Sequence, residues 1–344
     1  MRGIISADKR KFVTLIMTEN CNLKCTYCYE TNKTRRNMPL EIAKNIINEE
    51  MEIKDYSEMV CFDFFGGEPF LEFENIKILT EFIKKQNYSK PYDLFIGTNG
   101  TLVHGEIQQW LLDNKDIVNV GLSFDGNKYM QDINRSNSFD KIDIDFFVKN
   151  YPNLIVKMTV SKETLPFIAE GVKFLHNKGF KQITCNLAYG IDWKDKKNEE
   201  ILEEQLYKLI DFYLKNPNFL PCSMLNFPLH EINLDQSKTT KKFCGAGTHM
   251  KTYDIKGNKY PCHFFAPFSA GEKAKAAKGI EFKTEFPKYK LDKKCQDCLL
   301  VDICPTCYGS NFLSSGNIFS KTDEFCNLTK IMIKIRQVKK LLNS

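Results

Sequence analysis

No stretch of this 344-residue chain approaches the run of about 18 apolar residues that a membrane-spanning helix requires. That absence argues against a helical membrane protein. A secretory signal is lacking too, because residues 1–12 are charged and too short for one. The chain is therefore expected in the cytoplasm, where thiols stay reduced. Nor is there a large excess of either charge. Lys and Arg number 49 against 43 Asp and Glu, a net charge of +6, which reads as a Lys-rich solvated surface. No stripe of aromatic and basic residues accompanies that balance, so neither nucleic acid nor membrane is an expected partner. The hydrophobic share of 42% and charged share of 27% are those of an ordinary globular protein. The length suits one large domain with a smaller one, or two or three ordinary domains.

Cysteine, by contrast, is abundant. Thirteen cysteines in a reducing compartment argue for metal and against disulfides. Three of them, Cys21, Cys25 and Cys28, fall within eight residues, just after the apolar run 13–17, which reads as a buried strand. Three thiolates are one short of a closed tetrahedral zinc site. They suit a [4Fe–4S] cluster with one iron left open. A zinc knuckle, or cysteines that only pack, are the other readings of the spacing.

From residue 11 to about 188, short apolar runs alternate with amphipathic stretches. The spacing predicts strands over 13–17, 60–65, 93–98, 118–124, 154–160 and 182–188, and helices over 39–54, 74–86, 105–114, 139–150 and 166–178. Such alternation implies a parallel sheet with right-handed crossovers, whose sites lie at the C-terminal ends of the strands. Polar motifs fall at that edge. After strand two comes Gly66-Gly67-Glu68-Pro69, where two glycines let backbone approach a ligand and a carboxylate waits for an ammonium. After strand three comes Thr98-Asn99-Gly100-Thr101, and after strand four Ser123-Phe124-Asp125-Gly126, followed by Asp132 and Arg135. Taken singly these also read as ordinary turns, Arg135 as a surface ion pair, and Leu187, after strand six, as a core residue. Beyond them, 198–215 reads as an amphipathic helix and 216–230 as an irregular Pro- and Asn-rich connector, with Cys222 a thiol without a partner. Cys61 and Cys185 sit in expected strands and read as core.

A second cysteine field begins at Cys244 and runs through Cys262, Cys295, Cys298, Cys304, Cys307 and Cys326, spaced C-x17-C, then C-x2-C-x5-C-x2-C, then C-x18-C. Paired cysteines of this kind are also common in structural zinc sites. The tail over 328–342 reads as an amphipathic helix packed on the barrel.

Cys-x3-Cys-x2-Cys after a first strand, with Tyr27 before the last cysteine, resembles the radical S-adenosylmethionine (SAM) superfamily. The resemblance implies an α/β fold, a partial (β/α)6 TIM-type barrel. It implies that the amino and carboxylate groups of SAM chelate the open iron, and that one-electron reduction splits SAM to a 5′-deoxyadenosyl radical. It places Gly66, Gly67 and Glu68 at the SAM amino group and Thr98 and Asn99 close to SAM. Tyr27, Asp125 and Leu187 join that set, Leu187 near adenine. The stretch from Ser123 is similar to the family pattern S-L-D-G-x4-H-D-x2-R, with Phe124 for Leu and Gln131 for His, so Ser123 and Arg135 face the SAM carboxylate. The second field resembles the SPASM domain, which carries two auxiliary [4Fe–4S] clusters, making three in all. By resemblance Cys295, Cys298, Cys304 and Cys326 hold the outer cluster and Cys244, Cys262 and Cys307 the inner one. The interval Cys304–Cys307 is one residue shorter than the usual pattern. The expected domains are a barrel over 1–190, a bridge over 191–240, a SPASM domain over 241–330 and a terminal helix over 331–344.

Two departures shape the expected activity. The inner set lacks the extra cysteine that sulfatase maturases carry, which implies an open inner iron. His263 stands where those enzymes have an aspartate base; it either keeps a basic role there or only orients the cluster. Together these point to a peptide-modifying enzyme that forms thioether crosslinks on a ribosomal peptide. Formylglycine formation on sulfatases, other crosslinks or epimerisation are the alternatives. A flavodoxin- or ferredoxin-type reductant is implied. The first strand begins too early for a leader-binding domain of about 80 residues ahead of it, so leader recognition is expected from a separate protein or a strand edge. Protein purified without oxygen is expected to be brown, with iron and sulfide for roughly three clusters; a colourless zinc protein is the result that the zinc reading requires.

Overall fold

The first strand, β1 (Arg10–Thr18), is buried almost without interruption from Val13 onward. Continuous burial on both faces is the mark of a strand inside a parallel sheet covered by helices. The computed structural model, which describes residues 9–226, 239–242 and 244–342, places it so. In chain order follow α1 (Leu40–Glu52), β2 (Met59–Gly66), α2 (Phe73–Lys85), β3 (Tyr92–Thr98), α3 (Glu106–Asp113), β4 (Val118–Ser123), α4 (Lys128–Asn134), α5 (Ile144–Asn150), β5 (Ile155–Val160), α6 (Ile168–Asn177), β6 (Gln182–Leu187) and α7 (Lys197–Lys215). The strands lie in the order β6-β5-β4-β3-β2-β1, each pair parallel. Sequential strands as neighbours, joined by helices, make the partial barrel of β/α units that the alternation implied.

Two features depart from the expectation. The helix expected over 139–150 is broken: a single turn at Phe139–Lys141 precedes α5, whose first turn is capped by the Asp143 carboxylate accepting from Phe146 N. A short helix, α4, stands ahead of it, capped by Asn127. Asn and Asp side chains favour such cap positions over helix interiors. The sheet is also wider than six strands. Beyond β7 (Thr239–Lys241), the hairpin β8 (Met250–Tyr253) and β9 (Lys259–Tyr260) joins it, with β8 parallel to β1 from Phe12–Met250 to Leu15–Tyr253. A last short strand, β10 (Glu285–Pro287), pairs with β7 in a separate ribbon. The cysteine-rich part is thus hydrogen-bonded into the barrel sheet.

A buried charge cluster fixes that junction. Lys11 on β1 is fully buried and lies 2.9 Å from both Glu50 of α1 and Asp55. Glu50 also accepts from Lys251 and from the Tyr253 hydroxyl on β8. Burial alone would raise the Glu50 pKa, but hydrogen bonds from Tyr253 and Lys11 leave it lowered. Asp55 is likewise lowered, by Ser57 and Lys11 against its desolvation.

The other edge is covered as well. Ser223 N donates to Ile183 O, and Ser223 Oγ bridges Cys185 N and O on β6. The terminal helix (Asp323–Leu342) packs against α7, with Lys334 paired to Glu203. Its buried Arg336 donates to Ser223 O. The tail expected on the barrel therefore reaches it through α7 and this segment. Of the irregular connector expected over 216–230, residues 227–230 lie outside the described residues. Cys61, Cys185 and Cys222 are all buried.

Lys11→Met leaves the Glu50 carboxylate buried beside fewer partners. It is expected to cost about 3–5 kcal/mol in urea unfolding. The sign with pH follows from the lowered carboxylate pKa values. The contribution is present above the ordinary carboxylate range near pH 4.5 and is lost as pH falls below it. The unfolding midpoint of the parent should therefore drop on acidification more than that of the variant.

Candidate active site

The cysteine loop leaves the C-terminal end of β1. Its root is gripped by the loop after β2: Gly67 N donates to Thr18 O at 3.1 Å and Glu68 N to Asn20 O at 3.0 Å. A side chain could not be tolerated there. A Cβ on Gly67 would stand 2.2 Å from Asn20 O and 2.7 Å from Cys21 Cβ; one on Gly66, at φ +148°, would stand 2.2 Å from Thr18 O. Both glycines are needed for this approach of backbone to backbone.

Glu68 follows, fully buried. Its carboxylate accepts from Phe70 N at 3.2 Å, Thr98 Oγ1 at 2.8 Å and Asn99 N at 2.8 Å. Burial pushes its pKa up to about 7 while those donors pull it down. Asn99 Nδ2 in turn donates to Asn22 of the cysteine loop, and Asn22 to Thr101, both at 2.8 Å. The sequence assigned Glu68 to an ammonium. In the structure its oxygens join the second and third loops, so its side chain holds the site together.

Asp125, after β4, is a second buried centre. Its Oδ2 accepts from the Tyr27 hydroxyl and from Asn134 Nδ2 at 3.1 Å, and its Oδ1 from Thr159 N at 2.9 Å. Arg135 Nε lies 3.0 Å from Oδ2 as an ion pair without hydrogen-bond alignment. The guanidinium stands 5.4 Å from the centre of the Tyr27 ring. Gln131, which departs from the family pattern, accepts from Asp125 N at 2.8 Å and donates to Ser138. Tyr27, Asp125 and Arg135 thus form one assembly beneath the cysteine loop. Arg135, read from sequence as facing a ligand carboxylate, has Asp125 as its carboxylate here. Ser123 ends β4, half-buried, at the same edge.

The three loop thiols are free and half-buried. Burial pushes Cys21 up to about 11, against the Leu23 amide and the Lys33 charge. It raises Cys25 too, against the charges of Arg135 and Lys33. Each feels its neighbour, Cys21 that of Cys25 and Cys25 that of Cys28. Three thiols on one loop, flanked by two cations, fit a cluster that takes three thiolates from the protein.

Inside the barrel stands an aromatic wall. The His263 ring lies 4.9 Å from Phe65, 4.9 Å from Phe264 and 5.6 Å from Tyr29, the residue after Cys28. Burial, with the charge of Lys157 added, lowers the His263 pKa to about 4. A neutral imidazole of that basicity resembles the carboxylate it was read as replacing. Lys157, on β5, rests 5.1 Å over the Phe95 ring and also faces the buried Asp63, whose pKa burial raises to about 6. Neither Lys157 nor Asp63 was singled out from sequence, because alternating polar residues in a strand read as a solvent face. A usable signal was Gly97 and Gly121 on β3 and β4, the strands between that of Asp63 and that of Lys157. A Cβ on Gly121 would strike Phe95 at 2.7 Å, and Gly97 leaves the lane in which Lys157 Nζ lies.

The C-terminal thiols fall into two groups by mutual electrostatic contact. Cys262 feels Cys307 and Cys244, and Cys307 feels Cys244. Cys295 feels Cys304, Cys326 and Cys298. The second group rings one cavity with Lys321 and Thr329. Cys244 and Cys307 border another with Leu187 and Tyr189, so Leu187 stands between the barrel end and the inner thiols. The donor chemistry of each group would fit an iron–sulfur cluster. Among the described residues no three His, Cys, Asp or Glu side chains are placed to hold a single metal ion, and no helix is long and apolar enough to cross a membrane.

Comparison with known proteins agrees with this fold. Residues 15–204 match the model of the Radical SAM superfamily. An uncharacterised protein of Methanocaldococcus jannaschii is 30% identical over 69% of this chain and 79% of its own length. A cysteine-type anaerobic sulfatase-maturating enzyme of Clostridium novyi is 25% identical over 83% of this chain and 84% of its own. Among solved structures, native anSMEcpe with bound AdoMet and the Cp18Cys peptide superposes with a TM-score of 0.74. It is 21% identical and covers 97% of this chain and 99% of that one. The chain belongs to the radical SAM superfamily, and its cysteine-rich C-terminal part places it with the SPASM-type members.

Proposed function

We propose that this enzyme binds SAM at the cysteine loop and uses it to modify a peptide, forming a thioether crosslink. Bound there, SAM and its cluster would supply a 5′-deoxyadenosyl radical for hydrogen abstraction. Cys21, Cys25 and Cys28 would hold the cluster. The backbone at Gly66 and Gly67, together with Thr98, Asn99 and Ser123, would line the SAM site. Tyr27, Asp125 and Arg135 would hold the floor of that site in place, and Glu68 its side. The aromatic wall of Phe65, Tyr29 and His263 would exclude water from the reacting carbon. His263, neutral near pH 7, would be free to take a proton from the substrate.

The observation that carries the thioether reading is the inner cysteine set. Cys244, Cys262 and Cys307 are three ligands where a cluster has four iron corners. Cys185, a further thiol on that cavity, is fully buried on β6 and feels Cys222. A fourth corner left to the substrate would take a peptide thiolate and hold its sulfur near the carbon radical. Cys295, Cys298, Cys304 and Cys326 would close the outer cluster, for three clusters in all. The electron would come from a flavodoxin- or ferredoxin-type protein, and leader recognition from a separate protein or a strand edge.

Sulfatase maturation is the second reading. It is favoured by the Clostridium novyi relative, whose similarity runs over most of both chains, and by the peptide held in the superposed structure. The two readings part on a cysteine-containing peptide. A thioether keeps the sulfur, loses two hydrogens and blocks alkylation of the thiol. Formylglycine formation removes the sulfur and leaves an aldehyde that a hydrazide captures. Epimerisation leaves the mass unchanged. Mass spectrometry of a peptide encoded beside this protein is expected to show the first pattern.

Replacing Cys21, Cys25 and Cys28 with Ala should abolish 5′-deoxyadenosine release under a strong reductant; persistence would remove the loop assignment. Cys295→Ala with Cys298→Ala should retain uncoupled SAM cleavage while losing peptide product. Equal loss of both would count against an auxiliary role for the outer set.

A further inference from the structure

Lys321 is buried, 7% exposed, between the helix Tyr308–Ser315 and the terminal helix. Its Nζ lies 3.7 Å from Cys304 Sγ and donates to Thr329 Oγ1 at 2.6 Å. The ammonium also stands 5.4 Å from the centre of the Phe325 ring. Among the described residues no carboxylate pairs with it: Asp302 and Asp192 on its two cavities pair with Lys288 and Lys162, Asp323 pairs with Lys294, and Glu324 lines the cleft half-buried. A buried ammonium is costly unless a counter-charge meets it. The groups placed to do so are thiols. Its field reaches Cys304 of the outer set and Cys307 of the inner one. Its side chain borders both the cavity ringed by the outer cysteines and the cleft that holds Tyr29, Phe264 and Cys307.

We propose that Lys321 is a counter-cation shared by the two auxiliary sites, and that it sets how readily the outer site accepts an electron. The inference rests on the two-cluster reading above and adds a residue to it. Each electron received from the external reductant adds one negative charge to a site already ringed by thiolates. An ammonium in contact with one of those sulfurs stabilises the reduced form over the oxidised form. Its N–H also draws electron density from the sulfur. Both effects raise the reduction potential. Because Lys321 touches Cys304 but reaches Cys307 only through its field, the outer site should feel it more. Lys321 is a positioning residue: it acts on the ligands, not on substrate.

The test needs no substrate. The full chain, reconstituted with iron and sulfide, is titrated potentiometrically with EPR detection, and the signal perturbed by added SAM is set aside as that of the cysteine loop. Lys321→Met is expected to lower the midpoint of one auxiliary signal clearly and of the other less, at unchanged iron and sulfide content. Lys321→Arg, which keeps the charge, is expected to stay near the parent. If Lys321→Met takes up less iron, Lys321→Gln, which retains a donor for Thr329, carries the same comparison. Unmoved midpoints at full iron content would overturn the proposal, as would equal shifts in the Met and Arg variants. A parent protein without auxiliary signals would instead overturn the cluster reading, before any variant is compared.

Discussion

The cysteine loop keeps its place at the strand ends because nothing but backbone separates it from the loop beside it. The absent side chains of Gly66 and Gly67 let the second loop lie against Thr18 and Asn20. Glu68 then ties that loop to the third, and the third returns to Asn22. Three connections that belong to separate β/α units become one rigid rim. The rim is built at the carboxyl edge of a parallel sheet, where strand ends and exposed backbone amides naturally gather. Rigidity here has a chemical purpose, since a radical must be generated within reach of a single carbon and away from water.

Charge is the second constraint. Ten cysteines arranged for metal would carry many negative charges into partly buried space, and the fold answers with buried cations. Arg135 and Lys33 stand at the cysteine loop. The fields of Cys244 and Cys262 reach Lys242. Lys321 lies between the two C-terminal groups. Arg135 is itself held by Asp125, so that its charge is partly spent and its position fixed. The net charge of +6 therefore has more behind it than a solvated surface: a few of the cations stand inside, opposite thiols.

Much of this was legible in the sequence. The six strands announce themselves, β1 and β2 as nearly continuous buried runs and β3, β5 and β6 as alternating ones, and the polar motifs lie at their ends because that edge is where a site can be built. For the C-terminal cysteines spacing alone allows several groupings, and the partition expected of them came from family resemblance. Other features were hidden for physical reasons. The helix α4 is seven residues long and is specified by its Asn127 cap, too short for a periodicity to show. Lys157 alternates with Val156 and Met158 as a surface residue would, yet the surface it faces is the barrel interior. The three donors to Glu68 were hidden too, because they come from its own loop and from the loop after β3, which only the fold brings together. The hairpin of β8 and β9 is short, and its place beside β1 depends on a long-range contact that no local pattern encodes.

That hairpin has a consequence for how the molecule can be assembled. A sheet with an open flank invites pairing with another chain. Here the flank at β1 is shielded by β8, and the flank at β6 is covered at Ile183 and Cys185 by the turn at Ser223, which the terminal helix holds through Arg336. Both shields come from residues translated after the barrel. A barrel without them would keep its rim of loops but leave both borders of its sheet open to pairing with other chains.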